Sequence, residues 1–127
     1  MCPRFDSGVP DSMDSGTVAE LRVAADMARC GYEVFVPVGG KASCDLIGIL
    51  DGTLQRFEVK STSRSVNPCS WTVELRQKRP NRTSVTTKKF NATNSDILAI
   101  YIEPEDRVVY MQSSDMHDRT SVDVPKE

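Results

Sequence analysis

Two carboxylates and an ammonium stand in the stretches CDLIGIL and RFEVKSTSR: Asp45, then Glu58 and Lys60 two residues apart. Between them lies Asp51-Gly52, flanked by LIGIL and TLQRFEVK, and Asp-Gly between two apolar alternating runs is the strongest short-range hairpin signal. A two-residue turn there pairs Leu50 with Thr53, and counting outward sets Asp45 opposite Glu58. Directly opposed residues on an antiparallel pair have Cβ atoms about 4.5–5.5 Å apart, and Lys60 falls on the same face one alternation further on. Two carboxylates at about 5 Å repel by about 3 kcal/mol at an effective dielectric near 20. Lys60 offsets part of that, and a hard divalent cation offsets more, because Mg²⁺ is held by one or two carboxylates with waters and phosphate oxygens. The pair is therefore a candidate metal site.

A third acid, Glu20, lies in a helical pattern from Thr17 to about Arg29, in which Val18, Leu21, Ala25 and Ala28 form the expected apolar stripe with Ala24 beside them. Glu20 is level with Ala24 and Met27, so it leans toward the sheet that this helix covers. Each acid also has a local reading. Thr17 to Glu20 fits a capping box, Asp45 fits the end of a turn after Lys41-Ala42-Ser43, and Glu58 with Lys60 fits a solvated strand face.

The elements that must position these groups follow from periodicity and turn chemistry. Cys30-Gly31 closes the helix. Strands are expected at Tyr32 to Val38, Asp45 to Leu50, Thr53 to Lys60, Trp71 to Arg76 and Asp96 to Glu103, with a final edge strand at Val108 to Gln112. Gln77 to Thr93 reads as a basic loop interrupted by Pro80. The fold class is α/β or α+β, a mixed sheet with the N-terminal helix on one face, in a single domain over residues 15–117. Residues 1–14 read as a flexible lead-in and 118–127 as a polar tail.

Composition narrows the function classes. With 39% hydrophobic, 27% charged and 6% aromatic residues in 127, the chain has the make-up of a soluble globular domain. No run reaches the roughly 18 apolar residues of a membrane span, and the N-terminal stretch lacks the pattern of a signal peptide, so a cytoplasmic, nucleoid-associated role is expected. Cys2, Cys30, Cys44 and Cys69 are irregularly spaced and His117 is the sole histidine, which gives poor support for zinc. The net charge of −2 hides a strong segregation. Residues 60–89 hold eight bases against one acid, a net of +7, which leaves −9 for the remainder. Such an edge faces a polyanion even in an acidic protein.

At these residues the sequence resembles the PD-(D/E)xK nuclease superfamily. The pattern is a helix with a glutamate, an aspartate on one strand and D/E-x-K on the next, here Glu20, Asp45 and Glu58-Val59-Lys60. From GTVAELRVAADMARCGYEVFVPVGG through CDLIGIL and EVKSTSR to SDILAIYI, roughly residues 16 to 112, it looks most like the small branch containing archaeal-type Holliday junction resolvases and the homing endonucleases of this fold. The resemblance implies a restriction-endonuclease-like core and Mg²⁺-dependent hydrolysis of DNA, with Mn²⁺ as a substitute ion. The metal would be held by Asp45, Glu58 and the Val59 carbonyl with help from Glu20, while Lys60 orients or deprotonates the attacking water or stabilises the pentavalent phosphorus. Arg64, Arg76, Lys78, Arg79, Arg82, Lys88 and Lys89 would contact backbone phosphates. Two-strand cleavage by so short a chain implies a homodimer or larger assembly. Cys44 stands where the motif has proline. The family's second helix, between the E-x-K strand and the next core strand, is expected either at about Thr86 to Asn91 or to be replaced by a DNA-binding loop. The rival classes are a non-catalytic nucleic-acid-binding module with the same fold and a small phosphatase or transferase. The latter lacks a glycine-rich phosphate loop or a Cys/His pair.

Overall fold

The computed structural model describes residues 15–39, 41–80 and 85–127; the lead-in 1–14 and Arg82 lie outside them. Helix α1 (Ser15–Arg29) is followed by β1 (Glu33–Phe35), β2 (Leu46–Leu50) and β3 (Thr53–Thr62). Then come β4 (Ser70–Glu74), β5 (Gln77–Pro80), β6 (Val85–Lys88), β7 (Ile97–Ile102), β8 (Arg107–Gln112) and β9 (Ser121–Pro125). The main sheet has the order β1-β2-β3-β7-β8. It is mixed, because β3 and β7 run parallel and every other neighbour pair is antiparallel.

The turn between β2 and β3 forms as its residues dictate. Asp51 (φ 52°) and Gly52 (φ 78°) both adopt left-handed conformations, the requirement of a tight hairpin turn that matches strand twist. Leu50 pairs with Thr53 and Leu46 with Phe57, the register read from the Asp-Gly position.

One face of the sheet is covered by α1. Ala19, Val23 and Met27 are buried, and Val23 and Met27 pack with Leu46, Phe57 and Ala99. This corrects the expected stripe: Val18 and Leu21 are exposed, as are Ala25 and Ala28, so the helix buries the opposite side. Apolar residues surround most of this helix, and the side that wins is the one that carries Val23 and Met27, with the Met27 methyl seated over Gly48. A Cβ on Gly48 would lie 2.7 Å from a ring carbon of Tyr32 and 2.8 Å from the Met27 methyl. The helix is further pinned by Arg22, whose Nε donates to Asp106 at 3.0 Å, and by the Tyr110 hydroxyl, which donates to Asp26.

The other face is covered by strands. β4 and β9 pair antiparallel, and Val73, Leu75, Val122 and Val124 pack on Leu98, Ile100 and Ile102 of β7. β7 is thus buried from both sides, which explains its continuous apolar run. Residues 121–125, read from sequence as polar tail, are strand β9, so Val108 to Gln112 is an edge strand but not the last. Their alternation of Val122 and Val124 with exposed Asp123 is that of a half-buried strand. Trp71 packs against this second core with the Lys126 ammonium 4.5 Å above its ring. Two further expectations change. The first strand is only Glu33–Phe35, ending before Pro37. The segment 77–93 is not a plain loop, since β5 and β6 pair as a two-stranded sheet, and Thr86 to Lys88 are strand where a shortened helix was the alternative.

Gly48→Ala is expected to lower stability by about 1–3 kcal/mol, because the Tyr32 and Phe57 rings it meets are held in the core. Urea or thermal unfolding of the variant checks this, and unchanged stability would remove Gly48 as the seat of the helix.

Candidate active site

β2 begins at Leu46 while β3 continues from Phe57 to Thr62, so β3 outruns its neighbour. Asp45 sits at this step. Its backbone N–H donates to the Phe57 carbonyl at 3.0 Å, and its Oδ2 accepts from the Val59 N–H at 2.8 Å. The carboxylate thus takes the place of a missing ladder partner, which fixes it beside β3. The N–H and C=O of one strand residue lie on the same side, so the Val59 carbonyl also faces this step.

Glu58 and Lys60 share the face of β3 away from α1, while Phe57 and Val59 face the helix. Glu58 is 9% exposed. Its carboxyl is pushed up to about 7, chiefly by burial and next by the charge of Asp45, with the Lys60 ammonium opposing and a hydrogen bond to Asp45 and the charge of Glu20 adding. Asp45, Lys60 and Glu20 therefore all act electrostatically on Glu58. Glu20 and Asp45 line a cleft of about 240 Å³ together with buried Cys44. The cleft is also lined by Val36, Pro37, Gly39 and Ala42 of the β1–β2 connection, which the sequence reading took as a strand end, a strand stop and a turn.

Among the described residues no three Asp, Glu, His or Cys side chains converge as a closed metal cage. Glu20 accordingly stands as a wall of the cleft rather than a third member of a tight cluster. Two hard carboxylates and a main-chain carbonyl still fit Mg²⁺, which keeps several of its waters. The strongest sign of fit is Glu58 itself: a buried carboxyl facing a second carboxylate is poorly stabilised as an anion until a cation joins it.

Behind the site, Arg56 and Asp96 lock β3 to β7. Arg56 N–H donates to Asp96 Oδ2 at 2.8 Å and Asp96 N–H to the Arg56 carbonyl at 2.8 Å. The guanidinium donates to both carboxylate oxygens and to the Thr93 carbonyl, and it holds Asp96 below the usual carboxylate range. The cue for this pair was the lone Asp96 at the head of an apolar strand. Burial pushes the Cys44 thiol away from ionisation, so it packs in the site and is a poor nucleophile.

Arg64, Lys88 and Lys89 are exposed. Arg76 is ion-paired with Glu74 at 2.5 Å, so its charge is already met within the chain. Lys78 and Arg79 lie on β5.

A family model described as PD-(D/E)XK endonuclease matches residues 11–124. The solved structure of a bacterial homing endonuclease, I-Ssp6803I, matches with a TM-score of 0.77 and 20% identity, over 88% of this chain and 76% of that one. At that identity the likeness is one of fold. No curated protein matches the chain.

Glu58 retains a proton in the folded chain between the ordinary 4.5 and about 7, where the unfolded chain has released it. Its contribution to stability therefore falls as pH rises through that window, by about 3 kcal/mol in full. In EDTA, Glu58→Gln is expected to exceed the wild type in stability at pH 8 by up to that amount, with the difference vanishing near pH 4. Urea unfolding at both pH values measures it, and a difference independent of pH would refute the assignment.

Proposed function

The chain belongs to the PD-(D/E)XK endonuclease family, and from that premise we propose that it is a Mg²⁺-dependent endonuclease hydrolysing phosphodiester bonds in DNA, with Asp45, Glu58 and Lys60 as its catalytic residues. The observation that carries this is the buried Glu58 carboxyl set against Asp45, with an ammonium two residues along. A non-catalytic binding module has no use for opposed carboxylates, which lower its stability. The metal would be held by Asp45, Glu58 and the Val59 carbonyl, with Glu20 on the cleft wall reaching it through water. Bound there, it supplies Lewis-acid stabilisation of the charge that develops on the scissile phosphate.

The remaining chemistry belongs to the chain. Asp45, tied to the Val59 N–H, is held in place before substrate arrives, so little reorganisation accompanies the reaction. Lys60 orients the attacking water and meets the added negative charge of the pentavalent phosphorus as the P–O bond to the leaving strand breaks. Arg64 and Lys89 grip backbone phosphates without reading sequence.

Lys60→Ala is expected to lower Mg²⁺-dependent cutting of a randomised duplex library and of a four-way junction by at least about a hundredfold, with DNA binding retained and EDTA abolishing cutting by the wild type. Wild-type cutting by the variant would sink the role of Lys60. Cutting both strands calls for two such sites, and we expect an isologous homodimer. Sedimentation equilibrium at micromolar concentration, with and without DNA, tests it, and monomer under both conditions counts against it.

A further inference from the structure

The cover that β4 and β9 give to the second face of the sheet lies over β7, where Leu98, Ile100 and Ile102 are fully buried. Toward β1 the same face carries large apolar side chains of its own. Val34, Leu46 and Phe57 pack under α1, and Gly48 sits beneath the Met27 methyl, so alternation turns Glu33, Phe35, Ile47, Ile49, Leu54 and Arg56 to the opposite side. The register makes these six neighbours. Glu33 pairs with Ile49 and Ile49 with Leu54 in one row, and Phe35 pairs with Ile47 and Ile47 with Arg56 in the next. Among the described residues neither hydrophobic core takes in Phe35, Ile47, Ile49 or Leu54. Phe35 is 47% and Leu54 55% exposed, and the two isoleucines between them are half-buried.

A contiguous apolar patch on the outside of a sheet marks an interaction surface. Its charge narrows the partner. Glu33 is an acid and Arg56, which also binds Asp96, is a base, so the patch has no excess of cations to draw a polyanion. It does complement itself. Sheets pack face to face about 10 Å apart with their strands within about 30° of each other. A twofold axis running along β2 sets Ile47 and Ile49 on their own copies and brings β1 of one copy over β3 of the other. Glu33 and Phe35 then lie over the row positions of Leu54 and Arg56. On this face β1 carries an acid and β3 a base, so the two margins of the patch are opposite in charge, as an isologous contact requires.

Such an axis runs parallel to the strands and therefore keeps the order of the rows. Glu58 follows Arg56 by one alternation along β3, so both candidate sites come to the same end of the pair, where one duplex can meet both.

We propose that two copies of this chain pack on each other through Phe35, Ile47, Ile49 and Leu54, about a twofold axis along β2. This rests on the homodimer reading above and gives it a surface. Six side chains are fewer than the roughly 20–30 residues a side of a standard interface, so the pair is reversible and concentration-dependent. Sedimentation equilibrium of the full chain across micromolar concentrations tests it, with circular dichroism to check that each variant is folded. Phe35→Asp and Leu54→Asp are each expected to raise the dimer dissociation constant by about tenfold or more. Adding Glu33→Lys to Leu54→Asp recovers part of that loss, because the axis sets residue 33 over residue 54 of the other copy. Leu21→Asp, on the 63% exposed Leu21 of α1, leaves the dimer unchanged. A dimer that the two patch variants leave untouched, that Leu21→Asp weakens equally, or that the double variant does not recover overturns this surface and leaves the homodimer reading in place. A monomeric wild type overturns both. A dimer weakened and recovered as expected, in a protein that never cuts DNA, leaves the surface standing and removes the nuclease reading instead.

Discussion

The left-handed turn at Asp51 and Gly52 is the constraint on which the candidate site depends. Side chains alternate along a strand, so a slip of one residue in the β2–β3 register would carry Glu58 and Lys60 to the α1 face and bring Phe57 and Val59 out of it. The turn prevents the slip because only residues tolerant of positive φ close it at two residues. The apolar pattern enforces the same answer from the other side, since Phe57 meets Tyr32 edge-on at a centroid distance of 5.5 Å and packs under α1. Local turn chemistry and core packing thus agree on a single register, and opposed carboxylates are a consequence of it.

Those carboxylates are tolerated because the strand that carries Glu58 is held on both edges. β3 is bonded to β2 on one side and to β7 on the other, and Arg56 with Asp96 fastens the latter junction immediately before Glu58. β7 in turn is buried from both faces. A local loss of a few kcal/mol at Glu58 is small against that packing. The candidate site is thereby placed on a strand whose backbone is held on both edges against the unfavourable pair.

Much of this was legible in the sequence, for physical reasons that differ by element. The hairpin was read because Asp-Gly is a local signal, and β7 because an apolar run of that length suits only a buried strand. The face of α1 was misread because alanine and valine surround the helix, so that periodicity alone did not say which side meets Gly48. β9 escaped because Val122 and Val124 are only two apolar residues among polar ones, and their burial depends on β4, some fifty residues earlier. The ribbon escaped because its strands, QKRP and VTTK, have no apolar alternation; what holds them is the clamp at Leu75 and Phe90. The salt bridge of Arg56 with Asp96 is a contact across forty residues, and a lone Asp96 at the head of an apolar strand does not say which base it meets.

The second face of the sheet explains why a ribbon stands where the resemblance implied a helix. A helix between β3 and β7 would have to cover Leu98, Ile100 and Ile102. Here β4 and β9 cover them, with Val73, Leu75, Val122 and Val124 supplying the apolar area. Once that face is closed by two strands, the chain between β4 and β7 contributes Leu75 and Phe90 to that core and needs no helical stripe, so its composition is released from that demand. Six cations and no carboxylate between Glu74 and Asp96 are what such release permits. The C-terminal strand is therefore coupled to the basic segment: β9 helps to close the core that a helix would otherwise cover, and the segment just before β9 supplies carbonyls that hold the root of β5 and β6.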